Sequence, residues 1–247
     1  ESIDQAEKLM VCAARLTQRG HQITCLEDFM GLYETPYQRS TVENLVKLPH
    51  PTIQKFSVIN VVVVGASRRF LAQITRHQNE VKYMSASLQY SDYSGVEDFV
   101  VPYELLDTSQ EEMYLKQSKS AMKDYQEMVA SGIDNDSAGY LAPQGMRNIL
   151  LISATPYQWK HMIHQRTCRR NTPETRYVML RIWEQLHSQN KELFSDCRPF
   201  CMNEGCKEGK MTCGKSIPPT MTISDIIRVD FPKIADTEDF EPERSSE

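Results

Sequence analysis

The chain has 247 residues, 40 % of them apolar and 25 % charged, which suits a soluble globular protein and excludes collagen-like, low-complexity and wholly disordered classes. Lys and Arg number 28 against 33 Asp and Glu, a net charge of −5. No nucleic-acid partner is expected from that balance, although a local basic pocket for a small anion remains open. The longest apolar run, Phe56 to Ala66, is shorter than the roughly 20 residues that cross a bilayer, so no membrane association is expected. The opening segment Glu-Ser-Ile-Asp-Gln-Ala-Glu lacks the basic and apolar regions of a signal peptide. Seven Cys, an odd count, favour free thiols in a reducing compartment, and a cytoplasmic location is expected.

In chain order, Ala6, Leu9, Met10, Ala13, Ala14 and Leu16 share one side of a helix over residues 4–19, which Gly20 ends. Residues 32–53, with Pro36, Pro49 and Pro51, read mostly as loop around a short helix at Val42 to Leu48. Phe56 to Gly65 is the strongest strand, β-branched, short and stopped by Gly. Ala66 to His77 follows as a helix with Phe70, Leu71 and Ile74 on one side and Arg69, Gln73 and Arg76 on the other. Residues 83–95 are rich in hydroxyls and aromatics and read as extended. Residues 110–131 form an amphipathic helix closed by Gly132, and Asp136 or Ser137 caps a short helix before Pro143. Asn148 to Ala154 is a strand. Residues 157–169 and 174–187 are helices, with Trp159, Met162 and Ile163, then Met179, Ile182, Trp183 and Leu186, facing inward. From Cys197 the composition shifts to Gly, Pro, Cys and Lys, and the last dozen residues are acidic and polar. The expected organisation is a domain over residues 1–192 and a Cys-containing, mostly irregular extension over residues 193–247.

Three groups of residues carry chemistry. Arg69, Gln73, Arg76 and His77, followed by Ser85, Ser87 and Gln89, offer forked cationic donors and neutral donors that suit a phosphate-bearing ligand. The plain alternative is a solvated helix side. Four Arg lie within the eleven residues from Arg166 to Arg176, and Thr172-Pro173 marks a helix start that attracts anions. Arg166 falls in line with Trp159, Met162 and Ile163, which favours a buried role over a solvated one. Cys197, Cys201, Cys206 and Cys213 could hold a structural zinc ion, although the spacing lacks paired knuckles and free thiols in a tail are the alternative. No Gly-rich phosphate loop, Gly-x-Ser-x-Gly elbow or His-Glu-x-x-His is present.

The order of these motifs is itself informative. Gly20-His21, a strand, Ser67-Arg68-x4-Gln73-x2-Arg76-His77, and then Ser87-x-Gln89-Tyr90 resemble the flavin-dependent thymidylate synthases. That family carries Arg-His-Arg-x-x-Ser-x-Asn-Glu-x-Ser-x-Arg-Tyr, with a Gln three residues before the first Arg. Downstream, Leu141-Ala-Pro143 and the Arg166, Glu174 and Arg176 spacing also match, so the resemblance covers roughly residues 5–190. The departures are local. The third residue of Arg-His-Arg is Gln78, the Asn-Glu pair becomes Met84-Ser85, and the second Arg of the signature becomes Gln89. A further family Arg falls on Gly139, and the late His and Gln fall on Arg170 and Thr172. Arg169 and Arg170 are the cations at hand to compensate.

The resemblance implies an α/β (α+β) fold of that family, an antiparallel or mixed sheet with flanking helices. It implies transfer of a one-carbon unit from methylenetetrahydrofolate to carbon 5 of dUMP, with FAD, reduced by NADPH, supplying the hydride in a homotetramer whose sites are shared between subunits. By position, Thr24, Glu27, Arg76, His77, Gln78 and His161 lie near the flavin. Gln73, Ser85, Ser87, Gln89 and Arg166 line the pyrimidine nucleotide, and Arg166 is the catalytic residue, holding the uracil ring and polarising its carbonyl. Two other readings stay open because nucleotide-binding positions have changed. One is a diverged relative that modifies another pyrimidine nucleotide, for example by hydroxymethylation. The other is a non-catalytic nucleotide-binding protein.

Overall fold

A computed structural model describes residues 2–203 and 205–235, so the acidic last dozen residues lie outside the described residues. Helix α1 (Ser2–Arg19) buries Ile3, Ala6, Met10 and Val11, one stripe at helical spacing. Helix α2 (Leu26–Glu34), which the sequence did not show, follows, and then α3 (Arg39–Val46), which starts three residues before the short helix expected at Val42 to Leu48. Local hydrogen bonds explain α2: the Asp28 carboxylate accepts from the Thr24 N–H and hydroxyl at 2.8 and 2.7 Å, which satisfies the helix entrance.

Strand β1 (Ile59–Ser67), strand β2 (Val81–Ser85) and strand β3 (Arg147–Ala154) form one antiparallel sheet in the order β1-β3-β2. Ile59 stands opposite Ala154 and Val63 opposite Leu150, while Tyr83 stands opposite Ile152. The register slips between Val64 and Ala66, where Gly65 takes a φ of +82° that a β-branched residue would resist. The bulge aims Ser67 at the start of α4 (Arg68–Ile74), where its hydroxyl accepts from the Phe70 N–H at 3.1 Å.

Helix α5 (Ser109–Ala130) packs Met122 and Tyr125 with Phe99, Ala138 and Met146 in a small second core. Asp134, rather than Asp136 or Ser137, caps the short helix α6 (Asn135–Ala138), because its carboxylate receives the Ser137 N–H at 2.8 Å. Gly145 is required sterically, since a Cβ there would lie 1.7 Å from the Tyr114 hydroxyl and 2.8 Å from the Val100 carbonyl. Helix α7 (Pro156–Arg166) begins at Pro156 with Thr155 as its cap, and α8 (Pro173–Gln189) begins at Pro173. Their Trp159, Met162, Ile163, Met179, Leu180 and Trp183 fill the main core against the sheet. The Trp159 indole N–H donates to the Ile59 carbonyl at 2.9 Å, so this buried aromatic has its polar atom satisfied.

The extension continues that core. It carries α9 (Phe200–Asn203), α10 (Ile223–Asp230) and α11 (Pro232–Ala235). Leu193, Phe194, Cys197, Met202, Ile217, Ile226, Ile227 and Phe231 pack with the helices and sheet of the first 190 residues. Asp230 fixes α10 to α8 and to the turn before it. Its carboxylate takes two bonds from Arg169, at 3.0 and 2.8 Å, and a further one from Arg176. Burial alone would raise the Asp230 carboxyl, but the two guanidinium groups hold it below the usual carboxylate range. Asp230→Ala leaves two largely buried cations without their anion. We expect a loss of about 3–5 kcal/mol in urea unfolding, with Asp230→Glu recovering part of it.

Candidate functional site

The site grows from the junction of α4, α7 and α8. Arg166 is the last residue of α7, and three neutral acceptors hold it. Its Nε donates to His77 Nε2 at 2.9 Å, its Nη2 to the Gln73 carbonyl at 3.1 Å and its Nη1 to Asn171 Oδ1 at 3.3 Å. No carboxylate pairs with it among the described residues. Burial lowers the Arg166 pKa, yet a guanidinium stays protonated in proteins, so the site keeps a positive charge.

His77 is buried, and its ring meets that of His161 edge to face at a centroid distance of 5.9 Å. Burial, then the Arg166 charge, then His161 lower its pKa to about 4. The ring is therefore neutral near pH 7. Since Nε2 accepts from Arg166, the remaining ring proton belongs on Nδ1. Gln73 has its side-chain carbonyl occupied, accepting from the Thr172 and Thr175 hydroxyls at 2.9 and 2.8 Å. Glu174 ties the same helix start to the sheet, accepting from the Ser67 N–H at 2.7 Å and hydroxyl at 2.5 Å. Tyr83, on β2, donates to the Ile74 carbonyl at 2.8 Å, and burial pushes its hydroxyl up to about 12.

Four of the expected residues thus come together: Gln73, His77, His161 and Arg166. Arg76 and Gln78 flank buried His77, and both are exposed. Ser85 ends β2, and Ser87 accepts from the Gln89 N–H at 3.1 Å in the loop beyond. Thr24 and Glu27 stand on an exposed corner at the start of α2, where backbone hydrogen bonding holds the Glu27 carboxyl below its usual range. Arg169 and Arg170 turn toward the extension, the first to Asp230 and the second to Glu208 at 2.6 Å. Asn171, Thr172 and Thr175 were not singled out as orienting groups; the two Thr meet Gln73 only because α4 lies against α8, and Asn171 meets Arg166 through the turn that joins α7 to α8. Arg68 Nη1 and the Tyr93 hydroxyl are buried without a hydrogen-bond partner, two further donors that the sequence did not mark.

A cavity of about 460 Å³ adjoins Arg166 and is lined also by Gln165, Cys168, Arg170, Asn171 and Phe200. Of the four Cys expected at a zinc ion, Cys197 lies in the main core, where burial pushes its thiol up. Among the described residues, no group of three or more His, Cys, Asp and Glu stands ready to hold a metal ion. No helix of the described residues is long and apolar enough to cross a membrane.

Residues 1–189 match the protein family described as thymidylate synthase complementing protein. The chain belongs to the flavin-dependent thymidylate synthase family. A flavin-dependent thymidylate synthase of Geobacter sulfurreducens is 24 % identical over 178 residues, which cover 71 % of this chain and 76 % of the relative. The Thermococcus onnurineus enzyme is 24 % identical over 172 residues, covering 66 % and 69 %. Two solved structures share the fold at 16 % identity. The Helicobacter pylori flavin-dependent thymidylate synthase, complexed with FAD and dUMP, aligns with a TM-score of 0.59 over 77 % of this chain and 94 % of its own. A UMP/dUMP methylase from Streptomyces cacaoi, bound with 5-Br dUMP, aligns with a TM-score of 0.58 over 77 % and 90 %. As in those relatives, an α/β arrangement surrounds a small antiparallel sheet.

The neutral state of His77 has a measurable consequence. A solvated His in the unfolded chain takes up its proton near pH 6.5, whereas folded His77 takes it up only near 4. Its contribution to stability is therefore present above about pH 6.5 and is lost as pH falls toward 4. Histidine-resolved NMR should show the His77 ring neutral at pH 5, and His77→Gln should flatten the stability profile between pH 6.5 and 4.

Proposed function

We propose that the chain methylates carbon 5 of dUMP in an FAD-dependent reaction, with methylenetetrahydrofolate as the one-carbon donor and NADPH as the reductant. The carrying observation is Arg166, a cation that three neutral acceptors hold in place with no carboxylate among the described residues to cancel it. Such a charge favours an electron-rich ring carbonyl over a second cation. Family membership and the relatives' names support the flavin and the nucleotide.

The residues fit FAD by their chemistry. Arg76 and Gln78 reach the surface beside His77 and offer a cation and an amide to phosphates and ring carbonyls, and His161 adds a neutral ring. Thr24 and Glu27 belong to the same binding reading. When bound, FAD supplies the hydride. Arg166 orients the pyrimidine and polarises its carbonyl, which lowers the cost of negative charge at carbon 5. Ser85, Ser87 and Gln89 supply neutral hydrogen bonds to the nucleotide, and Gln73 fixes the backbone carbonyl that holds Arg166.

A homotetramer with shared sites is part of this reading. Val62, Val64, Met84, Ile149 and Leu151 form an exposed apolar sheet face, with Val64 75 % and Met84 71 % exposed. A face of that character suits a second copy of the chain. The free cysteines and the folate chemistry suit a cytoplasmic setting.

A second reading, activity on a different pyrimidine nucleotide, is favoured by one position. By the resemblance Gly139 stands where the family carries an Arg, and a Cβ there would lie 3.3 Å from Leu88, so this chain offers no cation at that position.

The first experiment is an absorption spectrum after FAD loading and desalting, followed by dUMP titration. Retained flavin peaks that shift with dUMP, with tritium release from labelled dUMP, are expected. Flavin that ignores dUMP points to the second reading, and failure to retain flavin overturns both. Arg166→Ala should reduce turnover at least about 100-fold, on the scale of a lost transition-state donor, while fold and oligomer persist; unchanged turnover rejects its role. Val64→Lys should lower the mass measured by light scattering below that of a tetramer.

A further inference from the structure

Four cysteines surround the turn that joins α7 to α8, and they are not the four that cluster in sequence. Cys168 lies on that turn. Cys168, Cys201 and Cys206 line the same cavity, and Cys168 is near enough to Cys201 and Cys213 for their charges to interact. Cys197 is absent from this group because it packs in the core.

Each of the four sulfurs receives a backbone N–H. Arg170 donates to Cys168, Ile217 to Cys201 at 3.4 Å, Glu208 to Cys206 and Lys215 to Cys213 at 3.4 Å. In three of these the donor is two residues after the sulfur, a turn that stabilises thiolate charge. Gly214, at a φ of +67°, lets the chain fold back in this way at Cys213. The turns are also tied to one another. Arg170 pairs with Glu208 at 2.6 Å, and Arg169 donates to the Lys215 carbonyl at 2.9 Å. Lys207 and Lys215 stand beside Cys206 and Cys213 in the chain, while Arg169 and Arg170 are paired with Asp230 and Glu208.

We propose that Cys168, Cys201, Cys206 and Cys213 form a structural zinc site that fastens the extension to the α7–α8 turn. The thiols surround the site without yet converging on one point, in keeping with the lack of a ready metal-binding group among the described residues. Convergence to zinc–sulfur distances of about 2.3 Å takes side-chain rotation and a shift of the exposed 205–215 turns. Each thiol gives its proton to solvent as its bond to zinc forms. Four protein ligands leave no open position, so the ion's role is to hold the turn that carries Asn171, next to Arg166, and not to take part in the reaction.

The test is metal content of the full chain, purified with reductant and without chelator, then supplied with zinc and desalted. About one zinc per chain is expected, the stoichiometry of a closed structural site. Cobalt substitution should give tetrahedral thiolate bands. Cys168→Ser and the exposed Cys206→Ser should each lose the metal, while Cys197→Ala keeps it, with circular dichroism confirming the fold of each variant. Absence of zinc from the wild-type chain overturns the proposal, as does loss with Cys197→Ala and retention with Cys168→Ser. The measurement uses neither flavin nor nucleotide, so its failure is distinct from failure of the catalytic reading.

Discussion

The candidate site is arranged around one guanidinium, that of Arg166, which among the described residues is held only by neutral acceptors. Arg166 has lost part of its water and meets no carboxylate among the described residues, so there its charge is oriented but not cancelled. Neutral His77 is essential to that state. A protonated ring could not accept from Arg166 and would place a second positive charge 2.9 Å away. The burial that keeps His77 neutral and the bond that orients Arg166 therefore depend on each other.

The start of α8 connects the candidate site to the rest of the fold. Within five residues, Thr172 and Thr175 engage Gln73, Glu174 engages Ser67 and Arg176 engages Asp230. Movement of this turn alters Arg166 through Asn171, the β1 bulge through Ser67 and the extension through Asp230. The extension is thus coupled to the site by ion pairs and by shared core packing, not by chain connectivity alone.

Two of the departures from the family pattern have a visible local setting. Gly139 lies against the Leu88 side chain, which a larger residue there would have to push aside slightly. Arg169 and Arg170 pair with Asp230 and Glu208 of the extension, and Arg170 still lines the cavity beside Arg166.

Strong periodicity made α1, α5, α7, α8 and the strands β1 and β3 legible in the sequence, since each buries one stripe or alternates faces. Motif order carried the family and the fold, and inward alignment marked Arg166. The sequence did not show α2, whose entrance depends on the side-chain bonds of Asp28. It also could not tell Cys168 from Cys197 as a neighbour of the other thiols. Residue spacing ranks cysteines by distance along the chain, whereas folding buries Cys197 in the core and brings the α7–α8 turn to the extension. Composition and local pattern determined the elements and the kind of chemistry. Long-range packing alone decided which polar groups meet, because the partners of Arg166, Gln73 and Asp230 lie 54 to 102 residues away in most cases and no local rule pairs them.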